Sequence, residues 1–173
     1  ESSFLIPKIS NGNLQMNIKA IRLLKHIESE SRTARKEEQE TLSQYVGWGG
    51  LAEAFDISNQ EWGREYRELK ELLSPEEYEN ARASTLNAHY TSPVVIESMY
   101  RILERMGFRS GNILEPSMGI GNFFGMLPDT MKDSRLYGVE LDGLTGRIAK
   151  LLYPDADQIG VIAPAVMALT AVF

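Results

Sequence analysis

Ile113-Leu114-Glu115-Pro116-Ser117-Met118-Gly119-Ile120-Gly121-Asn122-Phe123-Phe124 is the stretch on which the fold turns. Asn112-Ile113-Leu114-Glu115 reads as a short buried strand, Ser117 to Gly121 as a glycine loop, and Phe123-Phe124 as the start of a short helix. A strand that ends in Gly-x-Gly and enters a helix can hold a ligand against bare backbone amides. With Gly125 the run also resembles a loosened dinucleotide fingerprint, so the glycines alone do not name the ligand.

Downstream, Leu136 to Leu141 predicts a second strand, and Asp142 to Tyr153 a helix stopped by Pro154. Upstream, Ser92-Pro93 opens a helix with Val94, Val95, Met99, Ile102 and Leu103 as its apolar side and Gly107 at its end. The order helix, strand, loop, helix, strand, helix is the first half of a doubly wound, Rossmann-like α/β sheet. It is assigned to residues 86–173.

Residues 1–85 read as all-helical. Leu14, Ile18, Ile21, Leu24 and Ile27 recur three or four apart over residues 14–30, which is one apolar helix face. A second helix is expected from Ala34 to Val46, with Gly47 as its stop. Tyr45-Val46-Gly47-Trp48-Gly49-Gly50-Leu51 then sets three glycines around a tryptophan. It reads either as a packed loop between helices or as a nucleic-acid or partner contact. Trp62, Tyr66, Leu69, Leu72 and Leu73 give a third helix. Ser74-Pro75-Glu76-Glu77 starts a fourth, reaching about Ser84, with a capping serine, proline at the first helical position and glutamate at the third.

The 173 residues are 43% hydrophobic and 24% charged, which excludes a wholly disordered chain and allows a real core. The net charge of -6 divides into about -4 over residues 1–85 and -2 over 86–173, so neither half is a basic polyanion-binding module. Without cysteine there is no disulfide framework, thiolate metal site or cysteine nucleophile, and the composition fits a cytoplasmic protein. Glu1 to Lys8 lacks the charged-then-apolar order of a signal peptide. Ile159 to Phe173 is uncharged but shorter than the roughly 20 residues a bilayer span needs. It is expected to be a buried strand plus a tail, or a foreign or truncated end.

Two carboxylates narrow the ligand. Glu140 ends the second strand, 19 residues after Gly121, where it can accept both hydroxyls of a ribose. Facing a cleft there, it is expected to support little packing. Glu115 ends the first strand, four residues before Gly119, and would repel a pyrophosphate at close range. It would instead attract a cationic ligand. S-adenosylmethionine carries an ammonium and a sulfonium on an adenosine and uses both carboxylates, whereas NAD uses one. Tyr90, Thr91, Ser92 and Pro93, after Asn87-Ala88-His89, place an aromatic and a hydroxyl before a helix N-terminus. They can hold a carboxylate such as that of the methionine moiety, or form an ordinary cap with a packed tyrosine.

Tyr90-Thr91-Ser92-Pro93 together with Glu115 to Phe123 resembles the first two motifs of amino-methylating DNA methyltransferases that act on adenine. Tyr45 to Leu51 and the preceding helices are similar to large methylase–helicase proteins of conjugative transposons and phages. The resemblance spans roughly residues 12–157, with three separated motifs in order. It implies an S-adenosylmethionine cofactor and, for an intact protein, a DNA partner. Tyr90 and Thr91 would border the methionine end, Glu115, Pro116, Ser117, Gly119 and Gly121 the loop, and Glu140 the ribose. The family's later Asn/Asp-Pro-Pro-aromatic motif, which holds and stacks the flipped base, has no match: Ala163-Pro164-Ala165-Val166 has neither polar head nor aromatic. No catalytic residue is therefore assigned.

Other chemistries find little footing. His26 and His89 belong to no metal-binding pattern, and His26, beside Lys25 and Glu28, is expected to be solvated. There is no Gly-x-x-x-x-Gly-Lys-Ser/Thr loop for ATP, and no cysteine for cytosine carbon-5 methylation. The reading is thus the cofactor-binding front end of an adenine methyltransferase, inactive alone. Its rival is a degenerate methyltransferase-fold interaction module of a larger helicase-like protein, with an NAD-dependent oxidoreductase third.

Overall fold

The structure is a computed structural model that describes residues 11–86 and 90–161. Its helices are α1 (Asn11–Ser29), α2 (Lys36–Leu42), α3 (Gly63–Leu72), α4 (Pro75–Ser84), α5 (Pro93–Arg105), α6 (Asn122–Gly125) and α7 (Gly143–Leu152). Short 3-10 turns lie at Ala52–Phe55, Gln60–Trp62 and Asp129–Met131. The strands are β1 (Asn112–Glu115), β2 (Arg135–Glu140) and β3 (Gln158–Val161). They form one parallel sheet in the order β1-β2-β3, with Glu115 opposite Gly138 and Glu140 opposite Val161. The chain is therefore α/β: a helical part followed by a small parallel sheet with its crossover helices.

Apolar periodicity builds the first helix as expected. Leu14, Ile18, Ile21, Leu24 and Ile27 are all buried, and His26 on the opposite side is exposed. Ser74 caps α4 as its sequence requires: the Glu77 amide donates to Ser74 Oγ at 3.1 Å, and the Ser74 amide donates to Glu77 Oε2 at 2.8 Å.

α2 is shorter than the expected 34–46, because tertiary partners take over its last turn. The wholly buried Asn17 of α1 accepts the Val46 amide on Oδ1 at 2.9 Å and donates Nδ2 to the Gly47 carbonyl at 2.6 Å. Trp48 is 1% exposed and packs edge-on against Tyr45 and Phe55. Of the two readings for this segment, the structure takes the packed loop.

The core crosses the change from helices to sheet. Leu144 and Ile148 of α7, with Ile120 of the glycine loop, join the cluster made by α1 to α4 and the Trp48 loop. Gln39 of α2 donates to the last carbonyls of α7, Leu151 at 3.0 Å and Leu152 at 3.3 Å, which otherwise lack helical partners. Arg147 of α7 grips Glu28 through two nitrogens at 2.6 and 2.7 Å and reaches Glu77 at 2.7 Å. Glu77 also takes Lys25 at 2.7 Å, so one ion network ties α1, α4 and α7 together.

Two expectations are corrected. Val94, Val95, Met99, Ile102 and Leu103, read as the packed side of α5, are exposed, while Ile96 and Tyr100 are the residues that bury. They pack with Met131 against Phe108, Phe123, Met126 and Leu127, and this small cluster leaves the broader stripe uncovered among the described residues. Likewise β1 is not buried. Leu114 is 62% exposed, because β1 stands at a sheet edge among the described residues. Among those residues no helix is long and apolar enough to cross a membrane. The strand expected from Ile159 is present as β3 with Ile159 buried; the segment after Val161, including Ala163 to Val166, lies outside the described residues, as do Asn87, Ala88 and His89.

Candidate functional site

β1 and β2 run parallel, so their carboxyl ends, Glu115 and Glu140, emerge on the same edge of the sheet. In open α/β sheets this is the side on which ligands bind. The loop from Pro116 to Gly121 folds over that edge. The Met118 amide donates to the Val139 carbonyl at 3.0 Å, and the Gly121 amide to the Met118 carbonyl at 2.8 Å. Gly119 and Gly121 stand at φ of 57° and 90°, the left-handed region that glycine adopts without strain. Space demands glycine as well: a Cβ on Gly121 would lie 2.4 Å from Tyr153 Cε2. On β2, the buried Met118 covers Gly138, whose added Cβ would collide with its sulfur.

Glu140 is not a bare acceptor. Oε2 takes the Gly119 amide at 2.8 Å, and Oε1 takes the amides of Leu141 at 2.8 Å and Asp142 at 2.9 Å. The carboxylate thus closes the glycine loop onto the end of β2 and begins the turn into α7. Asp142 continues that turn as the cap of α7, accepting the Leu144 amide at 3.2 Å. These bonds correct the expectation that Glu140 supports little structure.

Glu115 differs. It is half-buried, and burial raises its carboxyl above the ordinary range, opposed by a hydrogen bond from the Ser117 amide. Its charge also bears on Tyr100 of α5, whose hydroxyl donates to the Phe123 carbonyl at 2.7 Å. Burial, then Glu115, pushes the Tyr100 phenol up to about 12. Pro116 and Ser117 are exposed, as is Thr91, while Ser92 caps α5 through its carbonyl rather than its side chain.

Tyr90 reaches the same edge from outside the sheet. Its ring stands against Gly119, where an added Cβ would meet Cε1 at 3.1 Å, and its hydroxyl stands against Gly47. Tyr90 as a whole is 40% exposed, and desolvation at its hydroxyl, with the charges of Glu140 and Asp142, raises its phenol above the ordinary tyrosine value. The structure therefore brings Tyr90, Gly119 and Glu140 together. Glu115 sits at the end of the neighbouring strand, beside Ser117, and its charge bears on Tyr100.

Asn17 and Thr145 escaped the sequence reading, and Tyr45 was legible there only as part of the glycine-rich turn. Tyr45 is fully buried, and its hydroxyl lies 3.4 Å from that of Thr145, which also donates to Asp142. Burial foremost, then the Asp142 charge, raises the Tyr45 phenol. Asn17 left a signal: a polar residue on the apolar stripe of α1, between Leu14 and Ile18. Thr145 left none. Among the described residues no cluster of three or more His, Asp and Glu is suited to a metal ion.

No family model matches the chain. A stretch of 88 residues, 51% of this chain, is 28% identical to the Defense against restriction protein B of Escherichia phage P1 and spans 4% of that protein's length. A crystal structure from Listeria monocytogenes, described as a class I S-adenosylmethionine-dependent methyltransferase, is similar at a TM-score of 0.31 and 11% identity. That match covers 89% of this chain and 54% of the other. At that TM-score the likeness adds nothing to the sheet order described above.

Proposed function

We propose that this chain is the cofactor-binding front end of an S-adenosylmethionine-dependent methyltransferase, and that the intact protein methylates adenine in DNA. The observation that carries the reading is the pair of strand-end carboxylates beside a left-handed glycine loop, with Glu140 tied to the Gly119 amide. Adenine and DNA enter through the motifs Tyr90 to Pro93 and Glu115 to Phe123. The phage setting is supported by the 88-residue likeness. A three-strand parallel order is also what the first half of a doubly wound sheet requires.

The residues fit this cofactor unequally. Glu115 is a half-buried carboxylate whose ionised form is penalised by burial, so a nearby ammonium would relieve that penalty. Glu140 fits with less room. A carboxylate offers about four acceptor positions, and three amides already occupy it, which leaves about one for a ribose hydroxyl. Tyr90 and Thr91 would stand at the methionine end, and Pro116, Ser117, Gly119 and Gly121 would form the floor. When bound, the cofactor supplies an electrophilic methyl group. This chain's part is to hold and orient it, because positioning is much of what such an enzyme provides. The base-holding residues belong to the intact protein, where a flipped adenine would be gripped. The proposed setting is cytoplasmic.

A second reading, a degenerate methyltransferase-fold module in a larger helicase-like protein, is favoured by one observation. Glu140 already spends its acceptors on the protein's own backbone. Calorimetric titration with S-adenosylhomocysteine and with NAD decides. Heat with the former alone supports the cofactor reading, heat with NAD replaces it by a dinucleotide site, and heat with neither leaves the interaction module.

A further inference from the structure

Resting on the cofactor reading above, we propose that the Gly47 turn of the helical region is a positioning element of the cofactor site, acting through the ring of Tyr90. The turn, three glycines around Trp48, is a sequence feature that the sheet-borne site does not explain.

Its geometry is fixed from beneath. Asn17, wholly buried, holds the Val46 amide and the Gly47 carbonyl with its two amide atoms. Gly47 is thereby set at φ 67° with its Cα turned to Tyr90. A Cβ placed there would lie 2.4 Å from Tyr90 Oη and 3.2 Å from both Cε2 and Cζ. The ring's other edge meets Gly119, whose Cβ would lie 3.1 Å from Cε1 and 3.7 Å from Cδ1. Tyr90 is therefore lodged between two left-handed glycines 72 residues apart in sequence. One belongs to the helical region, the other to the loop that Glu140 secures. At each position the left-handed backbone favours glycine, and an added Cβ would press on the Tyr90 side chain, most closely at Gly47.

The consequence is directional. The Gly47 turn decides where the hydroxyl end of Tyr90 stands, and the ring in turn stands on Gly119. A shift of the turn would move the ring across the cofactor loop, so the helical region takes part in placing the ligand. Misplacement of the order of 1 Å is enough to disturb such sites.

The test is a double-mutant cycle on the full chain: wild type, Gly47→Ala, Tyr90→Phe and the double variant. Each is titrated with S-adenosylhomocysteine and unfolded in urea. The added methyl strains the backbone of Gly47→Ala whether or not the phenol oxygen is present, so that strain should lower the urea midpoint in both alanine variants. Only the 2.4 Å collision disappears with the oxygen. We expect Gly47→Ala to weaken binding at least about tenfold, and the double variant to bind within about twofold of Tyr90→Phe alone. Independent, multiplying effects, or wild-type affinity in Gly47→Ala, would overturn the proposal. A wild-type chain that takes up no S-adenosylhomocysteine overturns the cofactor reading and the positioning role with it. The urea midpoints of the same four proteins then still show whether the Gly47–Tyr90 contact exists: recovery by Tyr90→Phe establishes it, and additivity denies it.

Discussion

The amide of Gly119 and the carboxylate of Glu140 are joined at 2.8 Å across 21 residues of chain, binding the glycine loop after β1 to the end of β2. The same carboxylate serves two further amides, so a residue suited to a ligand is also the fastening of its own site. On the proposed cofactor reading, affinity and stability are linked at this one position.

Replacing Glu140 with alanine should therefore do two things. It strips three amides of their acceptor, those of Gly119 and Asp142 partly buried and that of Leu141 exposed, and leaving the buried donors unmet costs about 1–3 kcal/mol in folding stability. It should also weaken S-adenosylhomocysteine. Urea unfolding followed by circular dichroism, alongside calorimetry, reads both. An unchanged urea midpoint would return Glu140 to the status of a solvated strand end.

Glu115 should behave in the opposite sense. Burial raises its carboxyl in the folded chain, so the native state binds a proton more readily than the unfolded one. Its own contribution to stability is then greatest at low pH and is lost as pH rises from the ordinary carboxylate value through the raised one. Glu115→Gln should flatten that decline and leave the ligand-free protein at least as stable at pH 7. It should weaken S-adenosylmethionine more than adenosine, since only the former carries an ammonium. Equal weakening of both would mean that Glu115 acts through loop structure instead of charge.

Acid should act on the ion network of α1, α4 and α7. Burial alone raises the Glu77 carboxyl, but hydrogen bonds from Lys25, Arg147 and the Ser74 amide outweigh it and hold the group at about 2. A depressed carboxyl contributes stability above its unfolded value of 4.5 and loses it as pH falls toward about 2. Solvent screening reduces the contribution to the order of 1 kcal/mol. Comparing acid titrations of wild type and Glu77→Gln isolates it: the variant should show a shallower loss between pH 4.5 and 2. Superimposable curves would show the network to be idle.

How far the sequence carries depends on whether a feature is local. The α1 stripe and the Ser74–Glu77 cap were legible because the spacing of the one and both partners of the other lie within a single helix or its first turn. The glycine loop and the two acidic strand ends were legible because strand, turn and helix follow one another directly. The early end of α2 was not, since it depends on Asn17, 29 residues from Val46. The exposure of Val94 and Met99 was hidden for a different reason: spacing reports that residues share a face, never what covers it. Glu140 was placed at the right strand end but credited with ligand duties alone, because backbone amides brought near by a loop leave no mark in the sequence.

No residue set after Glu140 resembles the family's base-holding motif, so this chain alone should transfer no methyl group to DNA. Its net charge of -6 also leaves few phosphates neutralised, and duplex affinity should be poor. Tritiated-methyl incorporation into mixed-sequence DNA measures this directly. Activity from these 173 residues would move the catalytic residues inside the chain, with Asn87, His89 and Tyr90 the first to mutate.

The burial of Leu144 and Ile148 among the residues of α1 to α4 bears on inheritance. A recombination event that exchanged the region before residue 86 for a foreign one would arrive without the hollow that receives these two side chains. It would also leave Arg147 without Glu28 and Glu77. The helical part and α7 are fitted to one another, so a lineage that shuffles its modules should pass this pair on as one block.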